Sequence, residues 1–107
     1  MENTLKSISA FVSAKKIIDK HLASDRIVSF VIGKTEDIEN RQADERYVGY
    51  ELHQITEDTP EIINNLEKVL ILLSKISEPY NSLCENQNAG GGGNENAGIL
   101  YVAIKTK

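Results

Sequence analysis

The sequence predicts a small single-domain α+β sandwich, with about three strands in one sheet and helices packed on it. Three observations lead there. Two long segments carry apolar residues at helical spacing, and three short runs rich in β-branched and aromatic residues lie between or after them. The whole chain is 107 residues, one domain's length. A chain of this size buries roughly two-thirds of its unfolded surface, enough for one modest core without disulfides or metals.

Residues 4–22 place Leu5, Ile8, Phe11, Val12, Ile17, Ile18 and Leu22 at spacings of three and four, with Lys6, Lys15, Lys16 and Lys20 between them. This is an amphipathic helix that breaks at Ala23, Ser24 and Asp25. Its stripe is expected to dock on the rest of the domain, a second copy of the protein being the other occupant. Ile27, Val28, Phe30, Val31 and Ile32 form a buried strand that stops at Gly33 in a turn. Thr35 then caps a helix over residues 36–45, with Glu36 and Asp37 suiting the positive end of its dipole. Val48, Tyr50 and Leu52 alternate with Gly49, Glu51 and His53, the period of a strand over residues 47–55 with one solvated face. Thr59, Pro60 and Glu61 open the next helix, whose stripe of Ile62, Ile63, Leu66, Val69, Leu70 and Leu73 runs to Ile76. Beyond Pro79, residues 82–98 hold Asn86, Gln87, Asn88, four glycines at 90–93, Asn94 and Asn96. Glycine and amide side chains offer little to bury, so residues 86–98 read as a flexible loop. Residues 99–104 are a last strand, completing the order helix, strand, helix, strand, helix, loop, strand.

Charge and cysteine content narrow the function. With Lys+Arg 12 against Asp+Glu 16 the net charge is −4, which removes the broad positive field most nucleic-acid binders use. The single cysteine, Cys84, cannot form an internal disulfide, which points to a reducing cytoplasm. The longest apolar run, Val69 to Leu73, is far below the ~20 residues of a membrane span, and no signal peptide or anchor is expected.

Several chemistries fail on spacing. Gly33-Lys34-Thr35 ends like a phosphate-binding loop, but the glycine needed five residues earlier is Val28. His21, His53 and Cys84 lack any short ligand spacing, so no zinc site is expected. Nucleophilic catalysis by Cys84 would need His53 brought to it by tertiary contact, and both read as ordinary structural residues.

One ordered set of residues does stand out: Ile32-Gly33-Lys34-Thr35 followed by Arg41, then the strand through Tyr50, then Glu67-Lys68-Val69-Leu70-Ile71, then Pro79-Tyr80-Asn81. On these residues the chain resembles the GIY-YIG endonuclease superfamily. The resemblance spans about residues 27–93, with 27–81 as its core, inside a single domain of residues 1–107. It implies a GIY-YIG-like fold and phosphodiester hydrolysis, with Mg²⁺ held by Glu67, Arg41 stabilising the phosphate, Lys34 and Arg41 contacting it, and Tyr50 or Tyr47 near the attacking water. A hard cation takes an oxygen ligand and keeps waters, and a guanidinium meets charge growing on phosphate. The chain departs from the pattern at two points. Val31 stands where the family has the tyrosine of Tyr-Ile-Gly, and residues 15–24, where its Gly-Ile-Tyr strand would fall, read as helix. Without that tyrosine a proton acceptor beside water is missing. The expected function is therefore a degenerate, non-catalytic binding or interaction module. It would contact a protein partner or a second copy, and nucleic acid only weakly. The alternative is a Mg²⁺-dependent nuclease working through Arg41, Glu67 and Tyr50.

Overall fold

The structure is a computed structural model that describes residues 2–88, 90 and 95–107. Helix α1 (Glu2–Ala23) leads into strand β1 (Ile27–Thr35), short helix α2 (Ile38–Gln42) and a 3-10 turn (Glu45–Tyr47). Strand β2 (Tyr50–Glu57), helix α3 (Pro60–Ile76), a second 3-10 turn (Tyr80–Ser82) and strand β3 (Ile99–Thr106) follow. The three strands form one sheet in the order β1-β3-β2, with both pairings antiparallel. The last strand in sequence is thus the middle one in space. The α+β architecture expected from the sequence is the one observed.

The core lies between one sheet face and the two long helices. Phe30 and Ile32 from β1 and Leu100, Val102 and Ile104 from β3 alternate onto that face, and all are buried. From α3 come Ile63, Leu66, Leu70 and Ile71, at the spacing of one helical face. The helix starts as its sequence dictates. Thr59 is the N-cap, its hydroxyl accepts from the Ile62 amide, and Pro60 sits in the first turn where no hydrogen bond is lost. Helix α1 buries Ala10, Ala14 and Ile18. The predicted α1 stripe splits, because Leu5, Ile8 and Val12 remain 64%, 56% and 45% exposed.

Four local expectations change. Gly33 makes no turn. It continues β1 opposite Tyr101, where a Cβ would run into the Tyr101 hydroxyl and ring, so the glycine provides room rather than a bend. The α2 cap is Asp37, not Thr35. The Asp37 carboxylate accepts from the Glu39 and Asn40 amides, and the helix closes at Gln42 instead of residue 45. Strand β2 starts three residues late, since the 3-10 turn capped by Asp44 and the positive φ of Gly49 (86°) keep Tyr47 to Gly49 out of the ladder. The segment after α3 is partly held. Leu83 and Glu85 exchange backbone hydrogen bonds with Phe30, and the Asn86 amide donates to the Ile32 carbonyl and accepts from the Ile32 amide (2.9 and 2.8 Å). Asn86 therefore falls outside the expected flexible loop because it completes the β1 edge; Ala97 is fully buried and the Gly98 carbonyl accepts from Asp58. The glycines at 91–93 lie outside the described residues.

Candidate functional site

The sequence-predicted residues fall into three separate places. Arg41 leaves α2 into a shallow cleft lined by Thr35, Glu36, Asp37, Asn40, Asp44 and Arg46. Glu67 is 8% exposed on α3, in the wall of a depression shared with Val31, Glu85, Asn86, Asn88 and Gly90. Lys34 pairs across the sheet with Leu100, so it points to the helix side, where its ammonium donates to the Asn64 side-chain oxygen. Arg41 and Lys34, expected together on a phosphate, leave opposite faces of the sheet, because the strand period separates Lys34 from Thr35.

Tyr50 sits on the face away from the long helices, opposite Lys105. Its hydroxyl donates to the Glu85 carboxylate at 2.9 Å, and the Ser29 hydroxyl donates to the same group at 2.6 Å. Glu85 thereby spans the sheet from β1 to β2. Burial, followed by the Glu85 carboxylate, pushes the Tyr50 phenol above its ordinary pKa. Tyr47 stacks edge-on against both Tyr50 and Tyr101, and the Tyr47 and Tyr101 hydroxyls share a hydrogen bond of 2.7 Å. Burial and that hydrogen bond hold Tyr101 well above the usual phenol range. Tyr50 and Tyr101 stay protonated at neutral pH and are poorly suited to accept a proton from water. Cys84 is half-buried at the β1 edge, its thiol pushed up mainly by burial.

A different constellation does converge. His21 in the last turn of α1 and Glu51 and His53 on β2 bring one ligand atom each to within 4.8 Å of one another. Glu51 and His53 are two apart on a strand and so share a face, the one that meets α1 through their register with Ile104 and Val102. The His21 Nδ1–H donates to the Ile17 carbonyl at 2.9 Å, and His21 Nε2 lies 3.1 Å from Glu51 Oε2. The His53 ring meets the His21 ring at 5.4 Å, and its Nε2 is buried with no hydrogen-bond partner among the described residues. Burial holds the His53 pKa below its ordinary value, with His21 and Lys20 adding to the effect and Glu51 opposing it.

Sequence spacing missed this group because His21 and His53 lie 32 positions apart. It also placed His53 on a solvated face. The available signal was the Glu51-x-His53 pair on one strand face, with the helix C-terminal His21 as third member.

Neither a family model, nor a curated protein, nor a solved structure matches the chain. Among the described residues, no helix is long and apolar enough to cross a membrane.

Proposed function

We propose that the chain is a non-catalytic interaction module on a GIY-YIG-like scaffold, acting through protein contact instead of phosphodiester cleavage. The observation that carries this reading is the dispersal of the groups a nuclease would need. Arg41 and Glu67 line different depressions, and Lys34 leaves the opposite sheet face from Arg41. Transition-state stabilisation needs donors aimed together at one developing charge, and separate clefts do not supply it. The Arg41 cleft also carries Glu36, Asp37 and Asp44 against Arg41 and Arg46, which disfavours a polyanion. The contact surface is the exposed α1 stripe of Leu5, Ile8 and Val12, which keeps helical spacing. A second copy offers the same stripe, the simplest self-complementary arrangement.

One observation favours the alternative, a Mg²⁺-dependent nuclease. The Glu67 depression also holds Glu85, Asn86 and Asn88, oxygen donors of the kind a hard cation takes.

Two measurements test the proposal. Incubation with single- and double-stranded DNA and RNA in Mg²⁺ or Mn²⁺ should give no cleavage, and any binding should vanish as salt rises. Cutting by the wild type that Glu67→Ala and Arg41→Ala both abolish would replace the proposal with the nuclease. Sedimentation equilibrium should show concentration-dependent association that Ile8→Asp and Val12→Asp weaken. A strict monomer throughout the micromolar range removes self-association as the mode of contact.

A further inference from the structure

We propose that His21, Glu51 and His53 form a binding site for one divalent transition-metal ion of the zinc class, joining the last turn of α1 to the edge strand β2. The site lies apart from Arg41 and Glu67 and stands whether or not the domain is an interaction module.

Because a carbonyl oxygen can only accept, His21 Nδ1 must carry the proton it donates to Ile17. With Nδ1 turned to Ile17, Nε2 is the nitrogen left to face the Glu51 carboxylate, 3.1 Å away, where an ion can be held between the two. A histidine that donates one nitrogen to a backbone carbonyl while the other ligates is the usual outer-shell arrangement of a metal-bound imidazole. The second observation is independent of the first. His53 Nε2 is buried and has no partner among the described residues, in a ring that packs against His21. Buried polar atoms are nearly always satisfied, and this one is beside two other ligand groups.

Chemistry selects the class of ion. Two imidazoles and one carboxylate suit Zn²⁺ and its neighbours, whereas Mg²⁺ prefers oxygen donors alone. Zn²⁺ holds its ligands at about 2.0–2.2 Å, which places them about 3.3–3.6 Å apart in a tetrahedron. The group is already within 4.8 Å, so modest side-chain rotation closes it. Glu51 is 49% exposed at the side chain, leaving a path for the ion and room for a water as fourth ligand, while the His21 side chain is 12% exposed. Of the charges that act on His53, Lys20 opposes a bound cation and Glu51 favours it.

The test is titration of untagged, chelator-treated protein with ZnCl₂ by calorimetry, with MgCl₂ in parallel. One equivalent of Zn²⁺ should bind and raise the Tm, and Mg²⁺ should do neither. His21→Asn and Glu51→Gln should each weaken Zn²⁺ binding at least tenfold, and Cys84→Ala should leave it unchanged. Glu51 is half-exposed, so that variant keeps its fold, which the Tm without metal checks directly. CoCl₂ should give visible absorption bands of four-coordinate strength that the same two variants lose. Binding that survives Glu51→Gln and His21→Asn unchanged marks adventitious surface binding and overturns the proposal. The absence of stoichiometric binding overturns it as well, leaving only a side-chain contact between His21 and Glu51.

Discussion

The two edges of the sheet solve the same problem with very different thoroughness. On the outer side of β1, Leu83 and Glu85 supply backbone hydrogen bonds and Asn86 adds a two-pronged amide on Ile32. On the outer side of β2, among the described residues, a single side chain does the work: Gln42 donates to the Tyr50 carbonyl and accepts from the Leu52 amide, both at 2.9 Å. Unpaired edges invite pairing with other chains, and a side-chain amide mimics one strand residue. The layers behind follow the same division. Helix α3 brings Ile63, Leu66, Leu70 and Ile71, while α1 contributes two alanines and Ile18, with the polar His53 on the β2 face it meets. The β1 half is built for stability. The β2 half is thinner and polar, and it holds the only cluster of metal-ligand side chains among the described residues.

Core truncation should produce the largest difference. Leu70 is fully buried on α3, so Leu70→Ala should cost about 2–5 kcal/mol, read as a lower urea midpoint at constant slope. Hydrogen exchange should then rise in β1 before β2. Equal acceleration in both strands would mean that the halves do not differ in how they are held.

The edges themselves come next. Asn86→Leu strands the Ile32 amide and carbonyl in a partly buried place, where such groups cost about 1–3 kcal/mol. Gln42→Leu exposes its partners to water, so its cost should be nearer 0.5–1 kcal/mol. If the two variants lose equal stability, the contrast between edges fails.

The parts legible in the sequence are those where local chemistry and tertiary packing agree. Thr59-Pro60 announces α3 because cap and proline act within one turn, and the run from Ile27 to Ile32 announces a strand because those residues suit a pleated, buried surface. Gly33 misleads because its reason is the Tyr101 ring on the neighbouring strand, not its own backbone. Asn86 looks like loop because its partner is 54 positions away. His53 looks solvated because Tyr50 and Leu52 are the more apolar members of the alternation, yet the register puts them with Lys105 and Ala103 on the face away from α1. The order of Lys34, Arg41 and Glu67 is readable, but their facing is not, since one residue along β1 reverses the side from which a group departs.

The smallest expected effect is the pH response of the β2 half. Burial lowers the His53 pKa below its ordinary 6.5, with His21 and Lys20 pushing the same way and Glu51 the other. The unfolded chain therefore binds a proton at a pH where the folded chain does not. Stability is fully present above about 6.5 and falls as pH drops through that value toward the lower folded pKa. Metal-free protein should lose Tm between pH 7.5 and 5.5, and His53→Gln, which cannot titrate, should flatten that slope. The carboxylates Asp44 and Asp58, held low chiefly by backbone amides, respond only below their ordinary 3.8, so they do not obscure this window. An unchanged slope in His53→Gln would assign the pH response elsewhere and remove the polar character of the β2 half as its cause.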